Sequence, residues 1–118
     1  MGLTNIVKRV LFVCGRNRLR SPTAEQVFGT RRDIEVASAG LNPDADNPLT
    51  PDQVEWADLI FVMEKTHRTK LSTRFKANLK GKRVVCLDIP DNYSFMEPAL
   101  VKLLNAKVPR FLPAARTP

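Results

Sequence analysis

The sequence predicts an α/β protein in which helices cover both faces of a four-stranded parallel sheet. Four short apolar segments alternate along the chain with segments typical of helices. The centres of the apolar segments are almost free of polar residues, as in strands buried on both faces. The chain has 118 residues, 43% hydrophobic and 26% charged, which favours a single domain over residues 1–118.

The N-terminal part supplies the first two strands. Residues 8–14 (KRVLFVC) are apolar and β-branched, and residues 34–40 (IEVASAG) form the second strand. Between them, residues 22–32 predict a helix with Pro22 at its first position and Ser21 as its N-cap.

The middle of the chain begins with a loop. Residues 41–49 are rich in Pro, Asn and Asp, which is typical of a loop. Residues 50–57 predict a short helix capped by Thr50, and the apolar residues 58–64 predict the third strand.

A basic helix follows over residues 66–79. Its apolar residues are spaced four apart, which predicts one buried face and an exposed basic face: Leu71, Phe75 and Leu79. We expect His67 on the exposed face. Residues 65–83 contain no acidic residue, which fits either an ordinary solvated surface or a partner rich in phosphate or carboxylate.

The C-terminal part supplies the last strand and helix. Residues 83–89 predict the fourth strand, with Cys86 buried in it, and residues 90–95 a loop. Residues 97–108 predict the last helix, and the proline-rich tail 109–118 is expected to be frayed.

Composition excludes some classes of protein. No apolar stretch approaches the roughly 20 residues of a membrane span, and the N-terminus lacks a signal-peptide pattern. Two cysteines do not make a disulfide framework, so we expect a reducing cytoplasm. The formal net charge of +7 favours anionic partners, and the oligomeric state stays open.

The loop after the first strand is the candidate site, because sites in parallel sheets form at the carboxyl ends of strands. Cys14 ends that strand and Arg20 follows six residues later, just before a helix. A loop of this length fits around a tetrahedral anion, with its N–H groups and the helix N-terminus pointing inward. Gly15 allows close approach of the backbone, and Asn17 tolerates a left-handed conformation.

Arg20 could grip two phosphate oxygens, and the positive surroundings would favour Cys14 as a thiolate nucleophile. The alternative is a core cysteine that is inert, beside surface arginines.

The chain resembles the low-molecular-weight protein tyrosine phosphatases. That family's loop, Cys-x-x-Asn-x-x-Arg-Ser-Pro, is matched by Cys14, Asn17, Arg20, Ser21 and Pro22. Further similar elements are Ser38-Ala39-Gly40, "FVMEKTHRTKL" at 61–71 and "IPDNY" at 89–93.

This resemblance implies the strand order 2-1-3-4, phosphocysteine chemistry on phosphorylated proteins or small phosphomonoesters, and no metal or cofactor. Cys14 would attack phosphorus, and Asp91 would act as general acid and then general base. The phosphate or another oxyanion would be held by the loop: Gly15, Arg16, Asn17, Arg18, Leu19, Arg20 and Ser21.

Supporting roles follow from the same resemblance. Ser21 would hydrogen-bond the thiolate, Asn17 and Ser38 would brace the loop, and Tyr93 is the aromatic expected near the pocket mouth. Residues 41–55 are shorter than in the family and lack its aromatic wall, which leaves phosphotyrosine selectivity open. Leu19 stands where many members have a second cysteine.

Two alternatives remain. An arsenate reductase on the same fold would need further cysteines, and only Cys86 is available. A non-catalytic binder of phosphate or a polyanion is compatible with the net charge, although nucleic acid is not the partner we expect. No membrane partner is expected.

Overall fold

A computed structural model describes residues 8–113. Its helices and strands, in chain order, are β1 (Lys8–Cys14), α1 (Arg20–Phe28), β2 (Ile34–Gly40), α2 (Pro51–Trp56), β3 (Leu59–Val62), α3 (Lys65–Arg74), β4 (Arg83–Cys86) and α4 (Pro98–Lys107). Short 3₁₀ turns lie at Lys76–Leu79 and Pro109–Phe111.

The four strands form one parallel sheet in the order β2-β1-β3-β4, which confirms the predicted fold class. β1 pairs with β2 along its whole length and with β3 over four residues. The central position of β1 places the loop that follows it between the segments that follow β2 and β3.

Alternate residues of β1 face two separate hydrophobic cores. Val10 and Phe12 pack on the side of α1 and α4, and Leu11 and Val13 pack on the side of α2 and α3. All four side chains are fully buried, and each contributes about 1.5–3 kcal/mol by leaving water. The predicted three-layer arrangement is therefore confirmed.

Helix α1 begins earlier than its sequence pattern predicts. It starts at Arg20 rather than Pro22 and ends at Phe28. The predicted N-cap role of Ser21 is wrong, because Leu19 occupies that position and the Ser21 hydroxyl bonds Cys14 and Asn17 instead.

Other element boundaries also differ. The predicted basic helix ends at Arg74, and its remainder is the 3₁₀ turn Lys76–Leu79. β3 and β4 are shorter than predicted, although the Leu87 N–H still donates to the Val62 carbonyl. The predicted cap of α2 is confirmed, since the Thr50 side chain accepts from the Gln53 N–H.

The predicted frayed tail is wrong for residues 109–113. Phe111 packs edge-on against Phe61, Leu112 is buried, and the Pro113 carbonyl accepts from Arg31. These contacts hold the segment on the α4 side of the sheet. The rest of the predicted tail, 114–118, lies outside the described residues. No helix between residues 8 and 113 has the length and apolar character to cross a membrane.

Candidate active site

The loop from Cys14 to Ser21 folds back over the end of β1. Asn17 has a φ of 56°, the left-handed conformation that asparagine tolerates. This turn brings the Asn17 N–H to 3.2 Å from the Cys14 sulfur, to which it donates. Cys14 is only 3% exposed, so the sulfur sits at the base of the loop.

Ser21 is the second group that reaches the sulfur. Its Oγ lies 2.9 Å from Cys14 Sγ and accepts a hydrogen bond from Asn17 Nδ2, also at 2.9 Å. Because the amide occupies a lone pair of the oxygen, the hydroxyl hydrogen is free to point at the sulfur. Two donors therefore converge on the Cys14 sulfur.

The segment after β2 holds the outer side of this loop. Its N–H groups donate to the carbonyls of the loop over 2.8–3.0 Å, in the pairs Leu41 to Cys14, Asn42 to Gly15 and Asp46 to Arg16. With the carbonyls turned outward, several N–H groups are left without an acceptor among residues 8–113: Gly15, Arg16, Arg18 and Leu19. Free amides in such a curled loop form an anion-binding concavity.

Gly40 makes this contact possible. A Cβ at position 40 would lie 2.5 Å from the Ala45 Cβ and 2.7 Å from the Gly15 carbonyl oxygen. Both distances are far below van der Waals contact, so any larger residue would push the outer segment away from the loop.

Arg20 extends beneath the site and is 4% exposed. Its Nη1 donates to Glu64 Oε2 at 2.5 Å and to the Ile89 carbonyl at 2.7 Å. Its Nε lies 3.6 Å from Asp91 Oδ1. The segments that follow β3 and β4 therefore both contact Arg20, and Cys14, Arg20 and Asp91 meet at one edge of the sheet.

Sequence reasoning missed Glu64 and misplaced His67. The prediction of an exposed His67 is wrong, because the ring is 6% exposed and lines the site cavity. His67 Nδ1 accepts from the Glu64 N–H at 3.1 Å, which leaves Nε2 to carry the hydrogen of the neutral ring. Burial lowers the pKa of His67, and the charge of Arg20 lowers it further, so the ring is neutral at pH 7.

The cavity over this loop has a volume of about 490 Å³. Besides the buried residues above, its lining includes three exposed cations, Arg16, Arg18 and Lys70. Arg18 is paired with Asp46 at 3.1 Å. No Phe, Tyr or Trp of the described residues lines the cavity, and its charged lining residues are four cations and the two carboxylates Glu64 and Asp91.

Two predicted site residues lie outside this group. The Ser38 hydroxyl donates to Glu25 of α1 rather than to the loop. Tyr93 is half-buried against the core on the α4 side and does not line the cavity. The structure therefore brings the predicted loop residues and Asp91 together but leaves out Ser38 and Tyr93.

Cys86 is distant from Cys14. Val13, Val62 and Cys86 lie in one row across the sheet, so the two cysteines are two strands apart, about 10 Å. Cys14 packs in the core on the α1 side and half-buried Cys86 packs on the α3 side. The two thiols cannot form a disulfide without rearrangement of the sheet.

The fold is that of the low-molecular-weight protein tyrosine phosphatases, which confirms the resemblance seen in the sequence. No protein-family model and no curated protein sequence matches the chain. Solved structures with the same fold cover most of it.

Three of these structures illustrate the similarity. The YwlE arginine phosphatase from Geobacillus stearothermophilus is 21% identical with a TM-score of 0.68, over 83% of this chain and 88% of that one. Wzb from Vibrio vulnificus, in complex with benzylphosphonate, is 23% identical with a TM-score of 0.68, over 89% and 97%. The Erwinia amylovora tyrosine phosphatase AmsI is 27% identical with a TM-score of 0.62, over 87% and 95%.

Proposed function

We propose that this protein is a cysteine-dependent phosphomonoester hydrolase that acts on protein phosphotyrosine through a phosphocysteine intermediate. The observation that carries the proposal is the pair of donors aimed at the Cys14 sulfur, the Asn17 N–H and the Ser21 hydroxyl. A structural core cysteine has no need of such donors. A nucleophilic thiolate needs them twice, as the attacking group and as the leaving group.

In the first step, the Cys14 thiolate attacks phosphorus and an S–P bond forms. The bond from phosphorus to the tyrosine oxygen breaks, and Asp91 gives its proton to the departing phenoxide. The loop N–H groups and Arg20 stabilise the equatorial oxygens, on which negative charge is spread in the transition state.

In the second step, a water molecule attacks the phosphocysteine. Asp91, now a carboxylate, takes a proton from that water, and the Cys14 thiolate leaves as the S–P bond breaks. Inorganic phosphate is released and the protein returns to its starting state. A Cys-to-Ser mutant of YwlE with a phosphorylated active-site serine supports the covalent route by analogy.

Glu64 is a positioning residue in this scheme. It holds the buried guanidinium of Arg20 together with the Ile89 carbonyl, so Arg20 is oriented before substrate binds. A guanidinium that is already oriented loses little conformational entropy when it contacts phosphate.

The charges at the cavity favour phosphotyrosine over phosphoarginine. The cavity is lined by Arg16, Arg18 and Lys70, which would repel the guanidinium group of a phosphoarginine substrate. The comparison structures include both kinds of phosphatase, and Wzb binds benzylphosphonate, which has an aromatic ring next to its phosphorus-bearing carbon. We propose a reducing compartment, the cytoplasm, as the place of action, because the chemistry requires a free thiol.

The test is hydrolysis of para-nitrophenyl phosphate and of a phosphotyrosine peptide in buffer containing EDTA and no reductant. We expect turnover by the wild type, no turnover by Cys14→Ser, and normal turnover by the matched control Cys86→Ser. Cys14→Ser should still bind vanadate or phosphate, because the loop amides and Arg20 remain.

Each outcome decides between functions. Retention of more than a few per cent of turnover by Cys14→Ser contradicts the covalent route. Binding of oxyanion without any hydrolysis by the wild type favours the non-catalytic binder. Loss of free thiols from the wild type on addition of arsenate, absent in Cys86→Ser, would favour an arsenate reductase, which oxidises two thiols as it reduces arsenate.

A further inference from the structure

Three neighbouring cavities lie between the candidate active site and the outer strand of the sheet. The site cavity of about 490 Å³ shares Glu64 and Thr66 with a neighbouring cavity of about 330 Å³. That cavity in turn shares Lys65 and Asp88 with a third, of about 600 Å³. The second and third cavities pass over the first turn of α3 and reach edge strand β4, and we call them together the α3 groove.

The far end of the α3 groove is cationic. Lys65, Arg68 and Arg83 line it with a single carboxylate, Asp88. The Arg68 side chain donates to the Val84 carbonyl at 2.9 Å, and the Arg83 guanidinium lies 5.1 Å from the centre of the Phe111 ring. Because both guanidiniums are held in place and the residues are exposed, they are available to a ligand at a small cost in side-chain entropy.

The length of the groove exceeds what a small phosphomonoester needs. Two strand spacings separate β1 from β4, about 10 Å, and the four residues of β4 extend about 13 Å further. Together these distances correspond to about six or seven residues of extended polypeptide, at roughly 3.3 Å per residue. The phosphate would occupy only the first cavity.

We propose that the α3 groove binds an acidic segment next to the phosphorylated residue of a protein substrate. Asp or Glu residues about two to six positions from that residue would pair with Lys65, Arg68 and Arg83. The inference rests on the proposed function and narrows its substrate class to acidic phosphoproteins. The lining residues shared with the candidate active site and the cationic far end support this occupant.

The experiment compares phosphotyrosine peptides that differ only in their flanks. In the first pair, one peptide has Asp and Glu two to six positions to the N-terminal side of the phosphotyrosine, and its partner has Asn and Gln there. The second pair has the same residues on the C-terminal side. For the wild type at low salt, we expect one acidic flank to raise kcat/KM about tenfold over its neutral partner, as three exposed ion pairs of ordinary strength would. The preference should shrink as salt screens the exposed charges.

The variants test the location of the binding groups. Lys65→Gln combined with Arg83→Gln should remove most of the preference while hydrolysis of para-nitrophenyl phosphate is unchanged. Lys76→Gln combined with Lys80→Gln removes the same charge outside the groove and should keep the preference. The same peptides should bind Cys14→Ser in the same order of affinity, measured by fluorescence anisotropy.

The outcomes separate the two proposals. If the wild type hydrolyses no phosphomonoester, the proposed function fails and the anisotropy measurements alone decide on the groove. If it hydrolyses acidic and neutral peptides equally, or if both double variants lose the preference equally, the groove proposal is wrong and the phosphatase remains. A single-stranded oligonucleotide is also tested as a competitor of the labelled acidic peptide. If it displaces that peptide at a lower concentration than the unlabelled peptide does, the proposed occupant of the groove is wrong.

Discussion

Replacement of Asp91 by asparagine should remove the general acid and leave the nucleophile intact. Asp91 belongs to the loop after β4 and is mostly exposed, with its carboxylate 3.6 Å from Arg20 Nε. From this position it lines the cavity, in an ion pair with Arg20 whose carboxylate side is 63% exposed. Asparagine keeps the shape of the side chain and cannot transfer the proton.

The size of the effect depends on the leaving group. General acid catalysis is typically worth 10²–10⁴-fold, and the departing phenoxide of phenyl phosphate depends strongly on protonation. We expect kcat/KM on phenyl phosphate to fall about 10²-fold or more, equivalent to about 2.7 kcal/mol of transition-state stabilisation. The loss should be smaller on para-nitrophenyl phosphate, whose leaving group is stable without a proton.

The assay is a pH profile of kcat and kcat/KM on both esters for three variants. Glu64→Gln is the essential comparison, because Glu64 is the other carboxylate in the cavity. The Glu64 carboxylate accepts a hydrogen bond from Arg20. It could give a proton to a leaving group only after releasing that guanidinium. Asp88→Asn is the conservative control, since Asp88 lies outside this cavity with a φ of 58°, which asparagine also adopts.

The reasoning is refuted by one pattern of results. If Asp91→Asn keeps near-normal activity and pH dependence while Glu64→Gln or Asp88→Asn alters both, the acid has been assigned to the wrong residue. An equal loss of kcat/KM on both esters for Asp91→Asn would also contradict the general-acid assignment, because kcat/KM reports only the steps up to departure of the phenol, where the two leaving groups differ.

Other predictions concern the loop and its surroundings. Arg20→Lys should lose most activity and weaken phosphate binding in a titration, since an ammonium cannot make the planar two-point contact, and it should lower thermal stability because the buried contacts with Glu64 and the Ile89 carbonyl are disturbed. Excess peroxide should oxidise Cys14 to the sulfinic acid, with little recovery in dithiothreitol, because Cys86 is out of reach; full recovery would contradict this. The free energy of unfolding should fall as the pH drops below about 6.5, the ordinary pKa of histidine, because unfolded His67 takes up a proton that the buried ring resists; urea titrations of the wild type and His67→Gln should differ in this slope. Gly40→Ala should cost about 1–3 kcal/mol by overpacking and weaken phosphate binding, and unaltered values of both would count against the contact described.

Most of the fold could be predicted from the sequence because the sequence signals of the strands and turns are local. Apolar runs and turn residues marked every strand, and the motif at Cys14 identified the strand order through its resemblance to a known family. The predicted start of a helix differs from the structure where one side chain can make two alternative hydrogen bonds. Ser21 has the chemistry of an N-cap, and only the folded loop reveals that its hydroxyl serves Cys14 instead.

The site was predicted in part for the same reason. Cys14 and Arg20 lie on one contiguous motif, and Asp91 matched by its Pro-Asp-x-aromatic order. Glu64 and His67 lie at the start of α3, and the contact of Glu64 with Arg20 depends on packing between segments more than 40 residues apart in sequence. Two signals could have found them: Glu64 follows a buried parallel strand, and the spacing of Glu64 and His67 is that of a helix-capping pair.

The hydrogen bonds from the segment after β2 have a consequence for how the protein acquires activity. The N–H groups of Leu41, Asn42 and Asp46 hold carbonyls that lie 27 to 30 positions earlier in the chain. A peptide spanning only β1 and α1 would contain every residue of the anion-binding motif and lack the partners that keep its amides turned inward. We therefore expect affinity for phosphate to require the paired β1 and β2 strands and, during folding, to appear only after their long-range pairing is complete.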